Sequence, residues 1–212
     1  ISYFRDESSL PFTSFVIPTY NAQKTLDACL NSIFAQDYPR DRFEVLVIDG
    51  RSSDMTLEIA RKYPVKMLNN PSRVEDGPYG GKAIGVKNAR GELLCFLDSD
   101  NILSSSRWLK KMIQPFIDDP EVAACESSRF KREEDSAINR FCSSLVVQTP
   151  GRDPFTPFYK MTDRRLLKKT ANSVFYATRA TPPCIANGTI VKREIVERLG
   201  GFDYDIDLAT RM

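Results

Sequence analysis

Chemistry in this chain must be carried by acids, amines, phenols or thiols, because its 212 residues include no histidine. That excludes a Ser-His-Asp triad, a Cys-His pair, an H-E-x-x-H zinc site and a histidine general base within this stretch. The most suggestive acids are Asp98 and Asp100, one residue apart in Asp98-Ser99-Asp100, directly after the apolar run Leu93 to Leu97. Two carboxylates so spaced can both approach a hard divalent cation, Mn2+ or Mg2+, that also takes phosphate oxygens. Such an ion offsets the charge on a departing diphosphate. The competing reading is a turn that caps a helix, since Ser104 to Ser106 lead into one. Asp49 closes a second apolar run. A carboxylate there can accept hydrogen bonds from a base N–H or ribose hydroxyls, or serve only the turn before Gly50.

The elements that must position these acids alternate in type over the first hundred residues. Ser14 to Pro18 is a β-rich run, and Leu26, Cys29, Leu30, Ile33 and Phe34 then recur at helical spacing until Pro39. Phe43 to Ile48 predicts a second strand, and Asp54 can cap a helix that includes Leu57. Val65 to Leu68 predicts a third strand, followed by a polar loop from Asn69 to Gly80 and a helix from Lys82 to Ala89. Leu93 to Leu97 predicts a fourth strand. Strands separated by helices make right-handed β-α-β units and a mostly parallel sheet. Ligands bind beyond the carboxyl ends of such strands, which is where Pro18-Thr19-Tyr20-Asn21, Asp49-Gly50-Arg51-Ser52 and Asp98-Ser99-Asp100-Asn101 all fall. Further on, Trp108, Leu109, Met112, Ile113 and Phe116 predict an amphipathic helix bent at Pro115. Val122 to Cys125 reads as a strand, Ile138 to Val147 as a helix, and Ile190 to Leu199 as regular structure ended by Gly200-Gly201. Thr149 to Pro183 has no clear period.

Composition narrows the class. Hydrophobic residues make up 42% and charged residues 27%, as in soluble globular domains. A formal net charge of +2 gives no bulk electrostatic case for a nucleic-acid partner. Five scattered cysteines, Cys29, Cys95, Cys125, Cys142 and Cys184, form no C-x-x-C pair. They argue against a zinc site or a disulfide framework and for a reducing, cytoplasmic setting. The longest apolar run is far too short to span a membrane. Because the chain starts at Ile1 and stops at Met212 in helix-like sequence, we expect an excised piece of a longer protein.

Taken together, these segments resemble the family-2 glycosyltransferases of the GT-A fold. Phe15 to Ala22 (F-V-I-P-T-Y-N-A) is similar to the family's first strand and base-contacting loop, and Val47 to Thr56 to its second strand and D-G-S loop. Gly81 to Glu92 resembles the helix and turn before F-L-D-S-D-N (Phe96 to Asn101), and Leu199 to Asp203 (L-G-G-F-D) the acceptor-side motif. The resemblance implies an α/β, Rossmann-like GT-A fold with a mostly parallel central sheet flanked by helices. It implies one domain over 1–212, with a nucleotide-sugar-binding half at about 1–101 and an acceptor half at about 102–212. Pro18, Thr19 and Tyr20 would line the base, with Asn21 nearby, and Asp49 would contact base or ribose. Lys82 stands where the family often has Arg and would contact the nucleotide or its phosphates. Asp98 and Ser99 would lie against the donor, and Asp98 and Asp100 would hold the metal. The base would be Asp205, within Asp205-x-Asp207-Leu208-x-x-Arg211, with Asp203 and Asp207 as competitors; Tyr204 stands where Glu is usual. Arg51 replaces a small residue of the D-G-S loop and would meet phosphate or pair with Asp49 or Asp54.

The implied activity is metal-dependent transfer of a sugar from a nucleoside diphosphate sugar, UDP-sugar first, to an acceptor hydroxyl or polyprenyl phosphate, with inversion. Two alternatives remain: a sugar-1-phosphate nucleotidyltransferase, and an inactive nucleotide-binding scaffold or sensor. The first would carry a Gly-rich basic loop where Pro18-Thr19-Tyr20-Asn21 stands. Residues 160–179 hold Lys160, Arg164, Arg165, Lys168, Lys169 and Arg179 against one acid, Asp163. They read as a peripheral membrane contact at the cytoplasmic face, or as a solvated loop.

Overall fold

Apolar residues at consecutive rather than alternate positions call for strands covered on both faces, and the computed structural model follows that rule. It describes residues 10–71, 73–127, 165–169, 174–177 and 188–198. Strand β1 (Thr13–Thr19) leads to helix α1 (Leu26–Phe34), β2 (Phe43–Asp49), α2 (Thr56–Ala60), β3 (Lys66–Asn69), α3 (Arg73–Asn88) and β4 (Leu93–Phe96). Then come α4 (Trp108–Asp118), β5 (Ala124–Glu126), β6 (Arg165–Lys169), β7 (Val174–Ala177), β8 (Thr189–Lys192) and α5 (Arg193–Arg198).

Six of these strands form one sheet in the order β3-β2-β1-β4-β8-β5. The first four are mutually parallel, and β8 runs antiparallel to both β4 and β5. On one face Phe15, Ile17, Val45, Val47 and Cys95 pack with Leu26, Leu30 and Ile33 of α1 and Trp108, Leu109, Ile113 and Phe116 of α4. On the other, Val16, Leu46, Ile48, Leu94 and Phe96 pack with α3 and with Val196 of α5. The mixed α/β architecture, mostly parallel and flanked by helices, is the expected one.

Helix α3 departs from the sequence reading. It starts at Arg73, not Lys82, so the loop expected over 69–80 is mostly helix. Gly77, Pro78, Gly80 and Gly81 look like breakers, and Pro78 does remove one helix hydrogen bond. Close packing explains part of the glycine content: a Cβ on Gly85 would lie 2.3 Å from Val16 Cγ1 and 3.1 Å from Ile48 Cδ1. The missing side chain lets the helix backbone settle onto β1 and β2.

The amino edge of the sheet is tied by a polar clasp. Ser14 Oγ donates to Glu44 at 2.7 Å, Arg90 donates to the same carboxylate through N and Nε, and Gly91 N donates to Ser14 Oγ at 2.8 Å. Partial burial pushes the Glu44 carboxyl up, but the bonds from Ser14 and Arg90 outweigh it and hold the group below the ordinary range. Arg193 completes the clasp, its guanidinium donating to Gly91 O and Ala89 O.

Residues 128–184 form a second compact unit, in which β6 and β7 pair antiparallel, Leu166 opposite Tyr176. A register shift between Leu166 and Lys168 interrupts the alternation within β6. The helix expected at Ile138 to Val147 lies outside the described residues.

At Gly91 a Cβ would lie 2.5 Å from Ser14 N, 2.7 Å from Leu93 O and 2.8 Å from Phe12 O, all backbone atoms that cannot rotate away. Gly91→Ala is therefore expected to destabilise the fold by about 1–3 kcal/mol. Urea denaturation would measure it, and a change below about 0.5 kcal/mol would contradict the packing described.

Candidate active site

The strand order gives the site its place. β1, β2 and β3 step one way across the sheet; the chain then crosses back to lay β4 on the other side of β1. In a sheet of this order the loops after β1 and β4 leave in opposite directions, and the crevice that such a reversal creates is where ligands bind. Thr19 is level with Asp49 across β1 and β2. The β1–β4 register ends at Val16 opposite Phe96, and Leu97 N still donates to Val16 O, so the turn that holds Asp98 and Ser99 begins just past the paired strand. Asp49 ends β2 and Asp98 follows β4, with β1 between these two strands.

At the β4 end, Asp98 and Ser99 are half-buried and Asp100 is exposed. Asn101 shapes the turn: its backbone N–H and its amide both donate to Asp98 O at 3.1 Å, and the amide also reaches Asp100 Oδ1 at 3.2 Å. Lys82 comes in from α3 with its side chain only 7% exposed, and its Nζ lies 3.9 Å from Asp98 Oδ1. An ammonium so shielded, with a carboxylate beside it, is held rather than solvated.

Beneath the turn, Cys29 Sγ lies 3.9 Å from Asp98 O. Burial above all, then the Asp100 charge, push this thiol up to about 12. It stays a neutral thiol, and the donors offered at this turn are hard carboxylate oxygens, the set Mn2+ or Mg2+ prefers. Among the described residues no group of three or more His, Cys, Asp or Glu is placed to hold a metal. Asp98 and Asp100 together would leave most of a cation's coordination sphere to a ligand and water.

At the β2 end, Asp49 is buried. Its Oδ2 accepts the Ser52 N–H at 3.0 Å, while its Oδ1 has no partner among the described residues. A buried carboxylate oxygen without a donor is costly unless a ligand supplies one. Asn70, absent from the sequence reading, has the same character: it is buried, its backbone N–H donates to Asp49 O at 2.7 Å, and its own Oδ1 is unpartnered. The sequence carried a faint signal for it, a second polar residue just past the end of β3.

Two loops join above these groups. Asn21 N donates to Ser52 Oγ, Ser53 N to Asn21 Oδ1, Gln23 N to Asp54 Oδ2, Met55 N to Gln23 Oε1 and Ala22 N to Thr56 Oγ1. Asp54 serves the start of α2 as expected, accepting from Thr56 N and Oγ1. Tyr20, 42% exposed, rises from this frame, whereas Thr19 is buried and its hydroxyl donates to Ile17 O. Asn21 and Arg51 adopt positive φ of 46° and 64°. That conformation suits Asn, but costs Arg about 1 kcal/mol or more. Arg51 makes no ion pair with Asp49 or Asp54. Asp203, Asp205 and Asp207 lie outside the described residues.

Comparison with known proteins follows the same line. Residues 14–200 match the model of glycosyl transferase family 2. The chain is 38% identical over 107 residues to glycosyltransferase AglE of Haloferax volcanii, covering 49% of this chain and 35% of that protein. It is 28% identical over 202 residues to the probable glycosyltransferase YdaM of Bacillus subtilis, covering 92% of this chain and 43% of the relative. Among solved structures, the Pyrobaculum calidifontis mannosyltransferase PcManGT, in complex with GDP-Man and Mn2+, superimposes with a TM-score of 0.62 at 24% identity. That match covers 95% of this chain and 50% of the other. The chain spans about a third of AglE and less than half of YdaM.

Because Asp49 Oδ1 has no partner among the described residues, Asp49→Asn is expected to leave the unfolding midpoint unchanged or raised, the amide oxygen keeping the Ser52 bond. Differential scanning calorimetry checks this. A fall of more than about 4 °C, equivalent to roughly 1–2 kcal/mol, would show that Oδ1 supports the fold itself.

Proposed function

The chain belongs to glycosyl transferase family 2, and on that premise we propose that it transfers a sugar from a nucleoside diphosphate sugar, with UDP as the favoured carrier, to an acceptor hydroxyl or polyprenyl phosphate. The observation that carries this reading is the edge between Asp49 and Asp98. An unsatisfied buried acceptor stands at one end and a pair of hard oxygen donors at the other, on either side of the crevice. That layout suits a ligand with a hydrogen-bonding base at one end and a diphosphate at the other.

Each residue then has its part. Tyr20 offers a ring face to the base with Pro18 and Thr19 beneath it, and Asp49 Oδ1 accepts a base N–H or a ribose hydroxyl. Ser99 and Asp98 lie along the ribose and diphosphate, and Lys82 directs its ammonium at the same place. Asp98 and Asp100 would hold Mn2+ or Mg2+; when bound, the cation offsets charge on the diphosphate as it leaves. In the transfer, the acceptor oxygen bonds to the anomeric carbon while that carbon's bond to the diphosphate breaks, and Asp205 takes the acceptor proton. Attack opposite the leaving group inverts the anomeric carbon. The 1–101 segment carries the donor and 102–212 the acceptor. The relatives support this assignment of ligands: PcManGT is seen with GDP-Man and Mn2+, and TarS of Staphylococcus aureus with UDP.

Two substitutions separate binding from chemistry. Nucleotide at about 100 times its Kd stabilises a native state by roughly 2.7 kcal/mol. UDP with Mn2+ should therefore raise the midpoint of wild type, and Asp100→Asn should abolish most of that rise. Asp205→Asn should keep the rise and lose about 10²–10⁴-fold in transfer rate. Unchanged transfer in Asp205→Asn removes Asp205 as base. A wild type that UDP and GDP both fail to stabilise removes the donor site and favours neither alternative function.

A lipid-linked acceptor would place the protein at the cytoplasmic face of a membrane. The basic stretch 160–179, which includes the β6–β7 pair, is the segment suited to touch it. Among the described residues no helix is long and apolar enough to cross a bilayer. Sedimentation with phosphatidylserine vesicles should fall several-fold in Lys168→Gln/Lys169→Gln. Unchanged sedimentation returns this stretch to a solvated loop.

A further inference from the structure

Strand β4 ends at Phe96 and α4 begins at Trp108, so the chain that carries Asp98, Ser99 and Asp100 runs from Leu97 to Arg107 with no helix or strand of its own. Its backbone groups must find partners elsewhere. Asn101 supplies some of them from within and sets the shape of the turn. Those bonds are local, and they do not fix where the turn lies. Helix α1 does that, along one seam. Cys29 and Ser32 stand three residues apart on α1 and share a face. Gln36, just past the helix end, is folded back onto it by its amide, which donates to Ser32 O at 3.0 Å. From this seam Cys29 Sγ lies 3.9 Å from Asp98 O, and Ser32 Oγ accepts the Leu103 N–H at 3.0 Å. Gln36 Nε2 also donates to Ser105 O, and its Oε1 accepts the Leu109 N–H, both at 2.9 Å. Asp37 closes the seam: its N–H donates to Ser106 O at 2.7 Å, and its carboxylate lies 3.1 Å from Lys110 Nζ.

We propose that Ser32 and Gln36 are positioning residues for the divalent cation, holding the turn of Asp98 and Asp100 in place without touching the cation themselves. The inference rests on the metal–diphosphate site proposed above and adds the groups that set its position. Apolar contacts already anchor this segment, since Leu103, Trp108, Leu109 and Ile113 all lie in the core. Burial of that kind is non-directional and tolerates small displacements. Hydrogen bonds of about 2.9 Å do not, because they weaken steeply with distance and angle. Gln36 is buried, and a buried amide is costly unless its bonds are made. Here they go to backbone on both sides of the seam. A small hard cation such as Mg2+ asks for oxygens at about 2.0–2.1 Å in near-ideal geometry. A small displacement of the turn therefore costs cation affinity while Asp98 and Asp100 keep their own chemistry. Groups that orient metal-bearing side chains from behind commonly contribute roughly 10–100-fold to metal affinity.

Mn2+ titration of the full chain saturated with UDP, the free ion read by electron paramagnetic resonance against a UDP blank, tests this directly. Ser32→Ala leaves the Leu103 N–H without its acceptor, and Gln36→Met keeps the volume but removes the amide. Each should weaken Mn2+ binding by roughly tenfold or more. Ser32→Thr keeps the hydroxyl and should stay within about threefold of wild type. Gly91→Ala is the control for stability, since it strains the opposite edge of the sheet: its unfolding midpoint should fall while its Mn2+ affinity stays that of wild type. Wild-type Mn2+ affinity in Ser32→Ala would overturn the inference and leave the donor site standing. So would a Gly91→Ala that weakens Mn2+ as much as Ser32→Ala does, or a Ser32→Thr as weak as Ser32→Ala. Should Gln36→Met not fold, the two Ser32 variants decide the matter. A wild type that binds no Mn2+ with either UDP or GDP would bring down the metal site and this inference together.

Discussion

A parallel sheet covered on both faces leaves few positions where a polar side chain can be fixed in place and still meet solvent. Val16 and Ile17, Leu46 and Val47, and Leu94 and Cys95 point into opposite cores from adjacent positions, so the strand interiors are closed to chemistry. Their carboxyl ends are where backbone order persists and burial relaxes. The crossing from β3 back to β4 then separates the loops that leave β1 and β4. Asp49, Thr19 and Asp98 are functional candidates because of this constraint before any property of their own.

Rigidity at that edge is supplied by polar bonds rather than apolar area. The loops after β1 and β2 share five hydrogen bonds between side chain and backbone, and Asn101 folds the turn after β4 onto Asp98. Asp49 Oδ1 and Asn70 Oδ1, both without a partner among the described residues, are conspicuous because buried polar atoms are ordinarily hydrogen-bonded. On the far side, α3 lies close enough to β1 to direct Lys82 at Asp98. A helix kept at ordinary distance by a side chain at position 85 would carry that ammonium away from the edge.

Much of this was legible in the sequence. Consecutive apolar residues in β1, β2 and β4 predicted buried strands within a residue or so of their observed ends, and the acids after them fall at the carboxyl edge of the sheet as expected. The family resemblance on those same residues was borne out. Three things were less legible for physical reasons. Gly85 belongs to a helix because of what lies beneath it, whereas from sequence the glycines of this segment look like a loop. Asn70 is an ordinary loop residue by type, and only its burial singles it out. The insertion of β8 between β4 and β5 follows from pairing across a long separation, which no local pattern encodes. Arg51 had two readings, phosphate contact or an ion pair with Asp49 or Asp54; the second is absent.

The way β8 enters the sheet has a consequence for how such a protein changes over time. The chain leaves at Ser127 and returns at Gly188, and Ser127 N donates to Gly188 O at 3.0 Å. These residues continue an antiparallel pair, Glu126 opposite Thr189, so topologically everything between them is a single oversized hairpin loop. Doubling the length of a connection between fixed ends costs only about 0.6 kcal/mol of closure entropy. The pairing of β5 with β8 is thus little affected by the length of that connection. Changes of length there can accumulate over time while the order of the sheet stays as it was.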